Sequence, residues 1–340
     1  MRRGLSFFLF FLISACSFLK TENNSDVLFE IKKGENFSSV VKRLKEERIV
    51  SNPFLFRWQA RITGSLHKLK FGIYQIKAHE SYSSVIKKFY NGKSFAVNLT
   101  IPEGYNIFEI AELLESKNLI KKELFLSELK NPELLRYLNL PPSASMEGYL
   151  FPDSYSIPLN YSGYQIVKIF LDRFKEIVNE EILNMIRKRG LNLKEILTMA
   201  SIIEKEAKFD FEKPIISGVY YNRIRKGYRL QADPTLIYAL MLDNKYDGNI
   251  RKRDFEYDSR YNTYKHFGLP PGPICNPGKT SILAAIFPAD VEYLYFVAKP
   301  DGTHHFSKTL EEHNKAVRAF QIIPAQERRK QRLHKNVITK

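Results

Sequence analysis

The strongest constraint on this chain is a repeat it carries within itself. FEIKKGENFSSVVKRLKEERIVSNPFLF, Phe29 to Phe56, aligns without a gap on LTIPEGYNIFEIAELLESKNLIKKELFL, Leu99 to Leu126. Ile31 falls on Ile101, Gly34 on Gly104, Asn36 on Asn106 and Leu44 on Leu114. In each copy apolar residues alternate before the glycine and recur at helical spacing after it, so each reads as a strand, a tight turn and an amphipathic helix. Between the copies GIYQIKAHESYSSVIKKFYNGK supplies another strand and helix, with YSSVIKK echoing FSSVVKR.

After Glu123 the texture changes to a Leu-rich helical connector and Pro141-Pro142, which places a boundary near Pro142. Helical stretches at about Gly163 to Arg189 and Lys194 to Lys208 lead into a segment dense in Tyr, Asn, Gly and Pro. A hairpin, VEYLYFVAKPDGTHHFS, and a helix from Leu310 follow. Helices and antiparallel strands in separate runs give an α+β fold. At 340 residues the chain holds two domains behind a leader: repeats over 27–140, a mixed α+β domain over 142–322 and a basic tail over 323–340.

The leader, residues 1–20, is MRRGLSFFLFFLISACSFLK. As a helix its uncharged run, Leu5 to Leu19, extends about 22 Å, short of the roughly 30 Å hydrocarbon core. It ends in Ile13-Ser14-Ala15-Cys16, which resembles the cleavage box of bacterial lipoproteins. Two readings stand: lipidation at Cys16, or a short uncleaved span. Either exports the rest and holds it at a membrane. The other cysteine, Cys275, then has no partner for a disulfide. The net charge of +16 fits anionic lipid headgroups and the carboxylates of a wall polymer, since no nucleic-acid-binding pattern appears. Arg328 to Lys340 reads as a solvated basic extension.

Chemistry points to ILTMASIIEKEAKF, Ile196 to Phe209. On a helical wheel Ile196, Met199, Ala200, Ile203 and Ala207 form the buried stripe, and Lys205 points away from it. Glu204 and Glu206 border the stripe on opposite sides, Glu206 slightly nearer its centre. A carboxyl in apolar surroundings keeps its proton near neutral pH, as a general acid must, although two ordinary border glutamates satisfy the same wheel. In QADPT, Asp233 and Pro234 occupy N-cap and first-helical positions and present Gln231 at a helix mouth. YNTYKHFGLPPGPICNPG reads as a rigid surface loop edged with Tyr and Asn, suited to a sugar-binding wall. His304, His305 and His313 cluster without the spacing of a zinc site, so no metal is expected.

Small strand-helix-helix-strand units like the repeats resemble lysin-motif domains, which lie against cell-wall glycan; a plain spacer is the alternative. Together with them EGYLFPDSY, LTMASIIEKEA, VYYNRIRKGYRLQADPTLIYAL, YNTYKHFGLPPGPICNPG, LYFVAKPDGTHHFS and EEHN, in that order, resemble the endolytic murein transglycosylases, the MltG/YceG-like family. The resemblance implies cleavage of the β-1,4 bond between N-acetylmuramic acid and N-acetylglucosamine without water, leaving 1,6-anhydromuramoyl ends and terminating nascent strands. It implies Glu206 as the catalytic acid, the second glutamate of the E-K-E triplet, and no cofactor. On that reading Gln231, Asn262, Tyr264 and Asn276 hold sugar hydroxyls and acetamides, while Arg223 and Asp233 shape the site. The expected partners are peptidoglycan strands, the membrane and the wall synthases (penicillin-binding proteins), with the catalytic domain outside the cytoplasmic membrane. A glycan-binding scaffold and a water-using muramidase are the rivals.

Overall fold

The computed structural model describes residues 19–64 and 69–323. Cys16 with the leader up to Phe18, and the tail from Arg328 to Lys340, lie outside these residues. Contacts divide the chain into two compact units. The first takes it to Leu99 and adds Tyr155–Ser162; the second comprises Thr100–Ser154 and the chain from Gly163.

The first unit runs β1 (Val27–Ile31), α1 (Phe37–Glu46), α2 (Pro53–Ile62), β2 (Gly72–Ile76) and α3 (Tyr82–Asn91). β1 and β2 pair antiparallel with Phe29 opposite Tyr74. Alternation puts Phe29, Ile31, Tyr74 and Ile76 on one face, where they pack with Val40, Leu44, Phe56, Val85 and Phe89 from the three helices.

β3 (Ala96–Thr100) and α4 (Ile107–Ser116) open the second copy of the repeat, and the backbone reproduces the first. Gly34 and Gly104 both take φ +80°, a left-handed value that a side chain resists. Asn36 and Asn106 both cap the helix that follows with their side chains. Arg48 and Asn118, just past those helices, share φ +54°.

The remaining elements are α5 (Lys122–Glu128), α6 (Pro132–Tyr137), β4 (Ser154–Pro158), α7 (Gly163–Ile177), α8 (Glu180–Lys188), α9 (Leu193–Glu206), α10 (Lys213–Arg225), α11 (Asp233–Leu242), α12 (Lys279–Ile286), β5 (Tyr295–Ala298), β6 (His304–Ser307) and α13 (Leu310–Val317). β3 pairs with β4, and β5 with β6 in the expected hairpin, so the protein is α+β with small sheets among many helices.

The boundary expected near Pro142 lies instead at Leu99, because distant residues hold the second copy of the repeat. The Ile107 amide at the start of α4 donates to Glu147 at 3.1 Å. The Tyr105 carbonyl accepts both the backbone and side-chain N–H of Asn276, each at 2.9 Å. These bonds make the second copy part of the second unit.

α9 is the second unit's central helix, packed against α10, α11 and α12. Every residue from Ile196 to Ile203 is buried, so the helix is enclosed rather than striped. Its polar members are satisfied locally, Thr198 on the Lys194 carbonyl and Ser201 on that of Thr198. Ser201 Oγ also receives the Ile274 amide at 3.0 Å. That bond draws in the loop expected at the surface: Gly272 to Gly278 is buried. Among the described residues no helix is long and apolar enough to cross a membrane.

Candidate active site

The two glutamates near the end of α9 have separate fates. Glu204 is pinned on both oxygens: Oε2 accepts the Gly278 amide at 2.8 Å and Oε1 the Lys213 ammonium at 3.1 Å. Lys213 is buried and also pairs with Asp210 at 2.9 Å. Glu204 is therefore a brace between α9, α10 and the start of α12.

Glu206 is the last residue of α9, after which Ala207 turns extended. Its carboxyl opens on a cleft of about 530 Å³ whose lining includes Tyr220, Arg223, Gln231, Asp233, Tyr264 and His304. Oε1 accepts the Tyr220 hydroxyl at 2.9 Å. Burial pushes the Glu206 pKa up to about 7; the Tyr220 bond opposes the rise and the neighbouring Asp233 charge adds to it. The negative end of the α9 dipole acts in the same direction as burial. Glu206 thus holds a proton near neutral pH and can give it to a group in the cleft.

Four of the expected site residues line this cleft with Glu206: Arg223, Gln231, Asp233 and Tyr264. Arg223 is buried, giving Nε to the Arg229 carbonyl at 2.9 Å and Nη1 to that of Leu294 at 3.0 Å. Its Nη2 donates to Gln231 Oε1, which orients a residue held at φ +53°. Asp233 is not the cap of α11. Ala232 occupies that position, and the Asp233 carboxylate accepts the Tyr264 hydroxyl instead.

Asn262 and Asn276 are not available to a sugar. Asn262 is fully buried, its amide donating to the Phe255 and Tyr257 carbonyls at 3.0 and 2.8 Å while Oδ1 takes the Tyr264 amide. It fixes the turn that carries Tyr264. Asn276, also fully buried, accepts the Gly148 and Leu150 amides and donates to Tyr105 and Glu147, each at 2.9 Å. All its hydrogen-bonding positions are spent inside the core.

Sequence reasoning missed three groups. Tyr220 is one of two adjacent tyrosines, and nothing local separates it from Tyr221, whose hydroxyl goes to the Ala285 carbonyl. Glu147 is fully buried on Tyr238, Ile107 and Asn276, and burial pushes its pKa up to about 8. Glu212 is buried against His304. An apolar residue immediately before each, Met146 and Phe211, is the one local signal, and it is too common to single out Glu147 or Glu212.

The three histidines have separate surroundings. His305 is exposed on β6 opposite Val297. His313 stacks on Tyr295 at 5.3 Å, and burial with the Arg223 charge lowers its pKa. No group of three or more His, Cys, Asp or Glu side chains among the described residues is placed to hold a metal ion.

The chain is similar to known proteins over most of its length. The YceG-like family matches residues 29–319. The chain is 31 % identical over 315 residues to the endolytic murein transglycosylase of Bacillus subtilis, a match covering 88 % of this chain and 86 % of that one. It is 28 % identical over 334 residues to the protein of the same name from Streptococcus pneumoniae strain D39, covering 88 % of this chain and 60 % of that longer relative. The crystal structure of a yceG-like protein from Listeria monocytogenes superposes with a TM-score of 0.59 at 33 % identity, over 86 % of this chain and all of that one.

Proposed function

We propose that this chain, which belongs to the YceG-like family, is an endolytic murein transglycosylase that cuts peptidoglycan strands at the bond from N-acetylmuramic acid to N-acetylglucosamine. The observation that carries the reading is Glu206, a carboxyl with a pKa raised to about 7 in a polar cleft. Glu206 protonates the leaving oxygen. As a carboxylate it then takes the proton of the muramoyl 6-hydroxyl while that oxygen closes on the anomeric carbon, leaving a 1,6-anhydro end. One carboxyl serves both steps, where hydrolytic glycosidases need two.

Asp233 favours a second reading. The sequence shows no obvious second acid, yet the cleft places this carboxylate near enough to raise the Glu206 pKa. A muramidase would use it to activate water. Mass spectrometry of digested wall glycan separates the readings: anhydro ends support the transglycosylase, reducing ends the muramidase, and no cleavage a binding scaffold.

The first unit acts as a lysin-motif-like glycan holder. Its strand-helix-helix-strand order with antiparallel β1 and β2 supports this, as does a groove of about 890 Å³ lined by Phe37, Phe54, Trp58, Arg57 and Arg61. Aromatic faces of this kind take the apolar faces of sugars. The leader tethers the enzyme to the outer face of the cytoplasmic membrane, by a span or by lipid on Cys16, where strands leave the penicillin-binding synthases. There its cuts terminate nascent strands. Cys16→Ala would leave a larger precursor on the lipid route and an unchanged mature mass on the other.

A further inference from the structure

We propose that His304 is a saccharide-binding residue of the Glu206 cleft, oriented by Glu212 so that its Nε2 hydrogen-bonds a sugar hydroxyl. The inference rests on the glycan reading above and adds a contact to it. Glu212 is 2 % exposed, and both its oxygens are spent on His304. Oε1 takes the His304 backbone amide at 2.7 Å and Oε2 faces ring Nδ1 at 3.0 Å. A carboxylate only accepts, so Nδ1 carries the hydrogen toward Glu212 and Nε2 is the ring nitrogen turned away from it. Nε2 has no protein partner among the described residues. The side chain is 8 % exposed, and the residue lines the cleft.

The setting is built rather than incidental. Glu212 lies in the short turn, Asp210–Glu212, that leaves the end of α9 shortly after Glu206. Its two bonds fasten β6 to that turn. The His304 ring meets Phe296 edge-on at 5.2 Å, and Phe296 meets Tyr220 edge-on at 5.8 Å. Tyr220 in turn donates to Glu206. The ring's rotation is therefore fixed by a buried charge on one side and an aromatic on the other, relative to the acid that does the chemistry. A brace alone needs only the backbone bond to Glu212. The second, ring bond fixes which ring nitrogen faces Glu212 and aims the other, as the carboxylate partner of a working histidine does.

Two substitutions separate contact from brace. In His304→Asn the side-chain amide replaces Nδ1 and keeps the Glu212 bond, but nothing stands at Nε2. In His304→Gln the amide reaches the Nε2 position. Rates of anhydro-end formation by the full chain on uncrosslinked glycan should show KM raised about tenfold in His304→Asn, with kcat and Tm close to wild type, the loss of one neutral hydrogen bond. His304→Gln should recover part of the loss. Wild-type KM in a folded His304→Asn overturns the inference. A second readout keeps native His304: in Glu206→Gln, the Nε2 nitrogen resonance should shift on adding short glycan fragments, and an unmoved resonance at saturating fragment overturns the inference as well. A wild-type chain that cuts nothing overturns the functional reading instead, so the two failures are distinct.

Discussion

The Tyr220 hydroxyl donates to Glu206 Oε1 at 2.9 Å, the one hydrogen bond to that carboxyl among the described residues. It favours the charged form, against burial and the nearby Asp233 charge, which favour the protonated one. Burial wins, and the balance leaves Glu206 titrating where a cell's pH lies.

Glu206→Gln keeps shape and loses the titrating proton. Cleavage should fall about a hundred- to ten-thousandfold while Tm holds. Glu204→Gln should reverse the pattern: about 2 kcal/mol of stability lost with the Lys213 and Gly278 bonds weakened, and most activity kept. Assays of product and melting on both variants check this. Comparable cleavage by wild type and Glu206→Gln would refute the assignment.

An acid must be protonated to act, so kcat/KM should decline as pH rises past about 7. Tyr220→Phe removes a donor that stabilises the carboxylate, which moves this alkaline limb to higher pH. Asp233→Asn removes a like charge and moves it to lower pH. Opposite displacements in the two pH–rate profiles are the check; equal ones contradict the electrostatics.

Glu147 tests linkage away from the cleft. Its folded pKa of about 8 stands above the ordinary value of 4.5. The stability it contributes is therefore complete below pH 4.5 and is lost as pH rises toward 8, at up to about 1.4 kcal/mol per pH unit. Denaturation midpoints of wild type across this window should decline more steeply than those of Glu147→Gln. Parallel curves would mean that Glu147 titrates alike folded and unfolded.

The groove of the first unit should matter to long glycan only. Trp58→Ala, with the exposed Phe54→Ala as a second removal, should weaken binding to polymeric strands several-fold and leave cleavage of short fragments near wild type. Equal losses on both substrates would place these aromatics in the catalytic path.

The repeat was legible down to its caps because Gly34, Gly104, Asn36 and Asn106 act within a turn of their own backbone. The home of the second copy was not, since Glu147 and Asn276 hold it from up to 171 residues away. The same distance explains the misplaced Asn276, whereas Asn262 is held by the Phe255 and Tyr257 carbonyls of its own loop. A Tyr- and Asn-rich loop reads as a sugar wall until Ser201 and Glu204 are seen drawing its backbone inward. Choosing Glu206 over Glu204 from the wheel rested on a slight angular difference. In the folded chain the difference is made by Lys213 and Gly278, which claim Glu204 and leave Glu206 to the cleft.

The brace at Glu204 has a kinetic consequence. The closing turn of a helix ordinarily frays, opening locally at little free-energy cost long before the domain melts. Here opening the closing turn of α9 would first break a buried ion pair and an amide bond from the loop before α12. Amide protons of this turn should exchange with solvent as slowly as those of the helix centre, and heat should inactivate the enzyme together with its global unfolding rather than ahead of it.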